Sequence, residues 1–409
     1  MKLVAGDMLW TSIDRISNQY TYLNSDIECD VLIIGGGVTG AITAYYLTEA
    51  GINTVIVEKN RIGYGSTRAS TSILQYEIDT DLNGLSSMIG EENAVEAFKL
   101  CEQAVYDIKE IIGKLDDKSD FELKECLYYT DNPAEASALK KEYDLRKKHG
   151  FDVEFFDRDR AKSKFSLEIE GGIYSRRGVA QIDPYRFAHA LIRKSSEQGL
   201  TVFENTEVEN INPQNDHVML ETTNNFDIKA NKVIIATGYE AKKYFNKKVA
   251  TFSRSFAIAT KPVNDFDGWY NSCIIRDNKH AYNYIRTTGE GRIIFGGEDE
   301  GLGKKTSKMS NLSNDDLVSK QKYEILLNKL KSYFPEIQGI EVDYSFSGIF
   351  ATTKDGLPYI GGYEQMPNCY FNLGYGSNGI LYAILGGQLL RDLCLGEGRK
   401  ELKLFRLNR

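Results

Sequence analysis

The sequence is short of positive charge, of paired cysteines, of histidine and of long apolar runs, and each shortage removes a class of function. Its 50 lysines and arginines are outnumbered by 58 acidic residues, for a formal charge of −8 and an isoelectric point near 5.3. Nucleic-acid binding needs Lys and Arg clustered on one positive face, so no nucleic-acid partner is expected. The six cysteines, Cys29, Cys101, Cys126, Cys273, Cys369 and Cys394, form no C-x-x-C pair. Neither a disulfide framework nor a cysteine zinc site is predicted, and reduced thiols in a cytoplasm fit best.

Four histidines, His149, His189, His217 and His280, show no paired spacing for a metal or a catalytic triad, so no metal site is expected. His189 lies beside Phe187 and Leu191 in a helical pattern and reads as a packing or surface residue. The amino terminus lacks the apolar core of a signal peptide, and no stretch approaches an integral membrane segment. The nearest approach, GILYAILGGQLL at 379–390, is read below as a packed helix.

What is present is a large apolar fraction, 42% of 409 residues, enough for an extensive core and for two or more domains. Residues 30–60, DVLIIGGGVTGAITAYYLTEAGINTVIVEKN, read as strand, helix and strand. Gly35, Gly37 and Gly40 form G-x-G-x-x-G at the strand-to-helix turn. The first glycine permits a tight turn, the second a close backbone approach to a pyrophosphate, and the third the packing of helix on strand. The start of the helix then faces the anion. Glu58 closes the second strand, where a carboxylate accepts from ribose hydroxyls and repels a ribose phosphate, which disfavours NADP.

Two further stretches separate FAD from NAD. GYGSTRAS (63–70) places Gly65, Ser66 and Thr67 where the second phosphate and the flavin side of a long cofactor would pass. VIIATG (233–238) is an apolar strand that returns through Thr237 and Gly238 to the nucleotide crevice. Elsewhere, residues 92–115, 134–149, 183–199 and 314–333 read as helices. KKEYDLRKKHG (140–150) reads as a solvated helix face, and 217–238 and 281–299 read as hairpins. The pattern gives an α/β fold class, a parallel-sheet, Rossmann-like domain interrupted by a second domain with a mainly antiparallel sheet plus helices.

The blocks DVLIIGGGVTG, EKNRIGYGST, AQIDPYRFAHAL, KVIIATGY, YIRTTGEGRIIFGG and TTKDGLPYIGG…YFNLGYGSNGI resemble, in order, the FAD-dependent oxidoreductases of the D-amino-acid oxidase superfamily. Glycine oxidase, sarcosine oxidase and γ-glutamylputrescine oxidoreductase belong to that group. The resemblance implies a discontinuous FAD-binding domain (1–95, 182–245 and 343–409) and a substrate domain (96–181 and 246–342). It implies FAD contacts at Val38 and Thr39 in the first helical turn, at Lys59 beside Glu58, and at Val208, whose backbone meets the adenine. It also places Gly376, Ser377, Asn378, Gly379 and Ile380 at the pyrimidine edge of the flavin. The residues themselves support that last block, because GYGSNG precedes an apolar helix and so presents free amides and a positive dipole end. A plain helix cap is the alternative reading of Ser377 and Asn378.

Three departures from the family pattern narrow the chemistry. Amino-acid-specific members carry an arginine for the substrate carboxylate five residues before the aspartate of DGLP, and Phe350 stands there. A buried carboxylate without a cation is costly, so an amine, possibly polyamine-like, is expected unless Arg286 or Arg292 substitutes. Covalent attachment in the family uses a histidine in the GYGSTRAS loop or a cysteine at the position of Gly348, and neither is present, so non-covalent FAD is expected. The lysine that sarcosine-oxidase-like members hold above the flavin falls at Ile294, which leaves O2 and another electron acceptor both open.

Oxidation of the C–N bond by hydride transfer to flavin, giving an imine that hydrolyses, needs position and desolvation rather than an obligatory protein base. The aromatics Trp269, Tyr270, Tyr282, Tyr284, Phe350 and Tyr375 are candidates to cage a small-molecule amine. Tyr284, Phe350 and Tyr375 are the three favoured as catalytic-site residues. An amino-acid or N-methyl-glycine oxidase and a non-catalytic or electron-transfer flavoprotein are the alternative functions.

Overall fold

A computed structural model describes residues 3–302 and 312–409, except 15, 17, 18 and 246. The apolar runs identified in the sequence become the parallel centre of one sheet. Ile27–Ile34 lies between Thr54–Val57 and Asp227–Ile235, parallel to both. Thr201–Phe203 extends the sheet beyond Thr54–Val57, and Met366–Leu373 runs parallel to the end of Asp227–Ile235. The expected hairpin is Val218–Thr222 with Asp227–Ile235, turned through Asn225 at φ 62°.

Helix Val38–Glu49 is buried on almost every side because it is wedged between the sheet and two other helices, Pro184–Glu197 and Gly379–Cys394. Glycine allows the closest approach: a Cβ at Gly387 would stand 2.6 Å from the Tyr46 ring. The apolar 379–390 stretch is therefore a core helix, and among the described residues no helix is long and apolar enough to cross a membrane. Helix Pro184–Glu197 starts as its sequence predicts, with Pro184 in the first turn and Asp183 accepting from the amides of Tyr185 (2.8 Å) and Arg186 (3.0 Å).

A second sheet has nine strands. Its order is Val4–Gly6, Val342–Thr352, Thr251–Thr260, Ile293–Gly301, Tyr284–Thr287, Ile274–Asp277, Cys126–Thr130, Gly171–Ser175 and Val153–Asp157. All neighbours are antiparallel except Ile274–Asp277 with Cys126–Thr130. Val4–Gly6 and Val342–Thr352 come from chain spans expected in the nucleotide half but pair in this sheet.

The charged run at 140–150 is not wholly a solvated face. In helix Ala136–Lys148, Glu142 and Arg146 are buried, and Arg146 binds both Glu142 and Glu77. Glu142 also accepts the amides of Leu82 (2.9 Å) and Asn83 (3.0 Å), the first residues of helix Leu82–Ile89. A carboxylate capping one helix and an arginine bridging to Glu77 make burial of the charges tolerable.

Candidate functional site

One cavity of about 320 Å³, within the 300–1,000 Å³ usual for small-ligand sites, is lined by residues of both sheets. Its nucleotide end is built by the glycine turn. Gly35 has φ +112°, and its Cβ would stand 2.6 Å from the Ala236 carbonyl; a Cβ at Gly40 would meet the Gly35 carbonyl at 1.9 Å. Side-chain capping is absent at Gly37, the residue preceding the helix. The turn is held from two directions: Gly36 N donates to Glu58 Oε2 at 2.7 Å, and Val38 N to Thr67 Oγ1 at 2.9 Å. Asn60 N donates to the other Glu58 oxygen at 2.8 Å. Burial raises the Glu58 carboxyl above its ordinary value against the opposing pull of these amides.

Gly35, Gly37, Val38, Thr39, Glu58 and Lys59 all line this end, with Gly65, Ser66 and Thr67 beside them. Val208, Thr237 and Gly238 complete the wall. Lys59 Nζ is paired with Glu240, at 2.6 Å. Thr237 Oγ1 is buried on the cavity wall and, among the described residues, has no hydrogen-bond partner. Gly40 is the one member of the fingerprint outside the wall, since it supports Gly35 from behind.

At the other end, the start of helix Gly379–Cys394 meets the nine-stranded sheet. Gly376, Ser377, Gly379 and Ile380 line the cavity, as do Gly348 and Phe350. The expected row of free amides is shorter than the sequence suggests. Gly376 N donates to the Ala351 carbonyl at 2.8 Å, and Ser377 N to Asp79 Oδ2 at 3.0 Å. What remains on the cavity wall is Gly379 and Ile380, in a first turn that no side chain caps. Asn378 faces inward instead: its Nδ2 donates to the Gln75 carbonyl at 2.9 Å, and its Oδ1 accepts from Ser377 at 2.8 Å.

Strand alternation and register select the chamber's ceiling. Tyr128, Arg276, Tyr284, Gly296, Ala257 and Phe346 are successive register partners across six strands, so their side chains share a face. Arg276, Tyr284, Ala257 and Phe346 from this row line the cavity, together with Tyr282, Ser255, Phe350 and Asp299. Burial pushes the Tyr284 phenol up to about 12, reinforced by the Asp299 carboxylate. Burial likewise raises Asp299 itself, against hydrogen bonds from Ser255 and Ser253.

Of the three residues favoured for the substrate, Tyr284 and Phe350 are in the chamber and Tyr375 is not. Tyr375 is buried behind the wall, its hydroxyl donating to the Gly238 carbonyl at 3.1 Å and its ring 5.6 Å from that of Tyr239, which does line the cavity. Trp269 and Tyr270 also pack elsewhere, Trp269 stacked 4.6 Å from Phe334 and Tyr270 against Phe165 and Tyr174. Both arginines considered as substitutes are committed away from the chamber. Arg286 donates to the carbonyls of Thr71 (2.6 Å), Ile182 (3.1 Å) and Thr287 (3.3 Å), and burial lowers it to about 10. Arg292 bonds the Thr260 carbonyl at 2.9 Å and pairs with Asp343 and Glu290. Ile294 packs with Leu9 and Trp10 in the core.

Arg276, Asp79 and Asp299 went unnoticed in the sequence, where they carry no motif. The one available signal was a charge closing an apolar strand, CIIRD, and that reads equally as a strand end. Asp355 holds its turn, accepting from Leu357 N at 3.1 Å and pairing with Arg409. Among the described residues, no group of His, Cys, Asp or Glu is placed to hold a metal.

The likenesses to known proteins agree with this layout. Glycine oxidase of Bacillus subtilis is 25% identical over 93% of this chain and 97% of its own length. Gamma-glutamylputrescine oxidoreductase of Escherichia coli is 23% identical over 92% of this chain and 86% of its own. The crystal structure of glycine oxidase from Geobacillus kaustophilus superposes with a TM-score of 0.76 at 22% identity, covering 93% of this chain and 99% of that one. The family described as DAO, FAD dependent oxidoreductase, matches residues 30–393. With a glycine fingerprint, a carboxylate just beyond the second strand and a cavity lined by both sheets, the chain belongs to the DAO family of FAD-dependent oxidoreductases.

Proposed function

We propose that this protein oxidises the C–N bond of a small amine or amino acid, giving an imine that water hydrolyses to a carbonyl compound and ammonia or an amine. The supporting observation is that one cavity joins Gly35 and Glu58 to a chamber walled by Tyr284 and Phe350. Bound FAD supplies the two-electron acceptor for the hydride that leaves the carbon. The chain's own residues supply everything around that step.

Gly35, Gly37, Val38 and Thr39 receive the pyrophosphate, Glu58 the adenosine ribose, and Val208 the adenine. Gly65, Ser66, Thr67 and the Thr237 hydroxyl, all on the cavity wall, would offer further donors along the cofactor, and Gly379 and Ile380 would meet its pyrimidine edge. FAD is held without a covalent bond, since residues 63–70 contain no histidine and position 348 is glycine. In our reading the nucleotide half comprises 1–95, 182–245 and 343–409, apart from the strand residues 4–6 and 343–352 that pair in the nine-stranded sheet, with 96–181 and 246–342 forming the substrate half. Tyr284, Tyr282 and Phe350 exclude water and present ring faces to the donor carbon and its nitrogen, which must be neutral to release the hydride.

The test is anaerobic mixing of the FAD-loaded protein with amines, N-methyl amino acids and free amino acids while the visible flavin band is followed. Bleaching by at least one of them is the expected result. A stable band with all of them would return the protein to the reading of an electron-transfer or binding flavoprotein.

A further inference from the structure

Most buried guanidinium groups of this protein are visibly satisfied. Arg146 binds Glu77 and Glu142, Arg254 binds Asp316 and the hydroxyls of Ser319 and Ser347, and Arg286 binds three carbonyls. Arg276 breaks that pattern. It is 5% exposed, it lines the chamber, and among the described residues its Nε and Nη1 have no hydrogen-bond partner. A buried charged donor left without an acceptor is expensive, so the acceptor is expected from what enters the chamber.

The surroundings fix how that acceptor would be met. The guanidinium carbon stands 4.7 Å from the Tyr282 ring centroid and 5.0 Å from that of Tyr128, so two aromatic faces hold the group. Tyr282 is itself anchored through its hydroxyl to Asp79 Oδ1 at 3.0 Å, and the other Asp79 oxygen takes the Ser377 amide. Asp79 is thus engaged by two donors, near enough to favour the charge on Arg276 without hydrogen-bonding it. Clamped by its faces, a guanidinium offers its N–H edge, and two parallel N–H groups match the two oxygens of a carboxylate.

We propose that Arg276 is the carboxylate-binding residue of the chamber, and that the substrate is an amine carrying a carboxylate on the same molecule. This rests on the reading of the protein as a C–N oxidoreductase. It replaces the expectation drawn from Phe350 of an uncarboxylated amine. It also relocates the anchor: Phe350 lies on Val342–Thr352, four strands across the sheet from Ile274–Asp277, so the carboxylate end of the substrate lies on the Tyr282 side of the chamber rather than the Phe350 side.

Two measurements on the FAD-loaded protein test this. The first titrates acetate and propionate, with acetamide as the neutral control, and reads the shift of the visible flavin band. Saturable shifts with the carboxylates and none with acetamide are expected. Arg276→Gln should weaken carboxylate binding at least about 30-fold with FAD retention unchanged, and Arg276→Lys should weaken it less. Equal binding in wild type and Arg276→Gln overturns the proposal, as does loss of FAD from a variant whose circular dichroism is native. The second compares anaerobic bleaching by glycine and sarcosine with that by methylamine and dimethylamine. Faster bleaching by the carboxylated partner of each pair supports the proposal. Equal or faster bleaching by the simple amines overturns it while leaving C–N oxidation standing. If nothing bleaches the flavin but acetate still binds through Arg276, the function falls and the carboxylate site stands.

Discussion

Tyr284 lies against Gly296 on the neighbouring strand so closely that a Cβ at Gly296 would stand 2.4 Å from Cε2, Cζ and Oη of the tyrosine. The two are register partners, so the missing side chain is what lets the phenol ring lean across the ceiling of the chamber. Gly296→Ala should drive that ring toward the substrate space. The expected outcome is substrate-driven bleaching slowed by tenfold or more, with stability lowered by about 1–3 kcal/mol in denaturant titration, the usual cost of overpacking. Unchanged bleaching kinetics would show that the ring's position does not matter.

Glu58 joins the glycine turn to the second strand through Gly36 and Asn60. Glu58→Gln keeps the shape but exchanges one acceptor oxygen for a donor that faces an amide. Loss of a charge-assisted bond is worth about 1.5–3 kcal/mol, so FAD should be retained roughly 10- to 150-fold less tightly. Equilibrium dialysis or fluorescence of released flavin would measure it.

Arg146 sits between two buried carboxylates 69 and 4 positions away. Arg146→Met would leave Glu77 and Glu142 facing each other without a cation, at an expected cost of about 3–5 kcal/mol. The pH dependence follows from Glu142: burial pushes it up, but Arg146 and then the cap amides hold it below its ordinary value of 4.5. A lowered folded value means that this stability is present above pH 4.5 and is lost as the pH falls through the folded value. The variant should therefore begin to unfold at a higher pH on acid titration than wild type, followed by circular dichroism.

His189 is lowered from 6.5 to about 4, by burial first and by Arg193 second. The unfolded chain thus binds the proton before the folded one does, so stability rises with pH between about 4 and 6.5 and is flat above. At most about 3 kcal/mol is linked to this one group. In His189→Phe that slope should shrink, whatever the change in stability at pH 8; an unaltered slope would place the pH dependence elsewhere.

Much of the nucleotide end was legible because its determinants are local. The turn from Gly35 to Gly40, the capped start at Asp183 and Pro184 and the hairpin near Gly291 each lie within a few residues, where periodicity and turn chemistry act. The chamber was less legible because strand register decides it. Whether Tyr282, Tyr284 or Tyr375 reaches the substrate depends on which strands become neighbours, and nothing in the stretch around Tyr375 signals that its ring turns to Tyr239. Arg276 illustrates the limit. Its meaning comes from Tyr128, 148 positions earlier, and from an absent partner, neither of which leaves a trace in CIIRD.

The parallel strand Met366–Leu373 and the helix Gly379–Cys394 complete a sheet and a helical layer begun by Ile27–Ile34 and Val38–Glu49, more than 300 residues earlier. The nucleotide half therefore cannot close until helix Gly379–Cys394 has been made. Until the last helix has been made, Val38–Glu49 lacks one of its two helical neighbours and Asp227–Ile235 lacks part of an edge. A nascent chain should expose apolar surface until that helix has been made, and should fold slowly because the contacts that close this half are of long sequence separation.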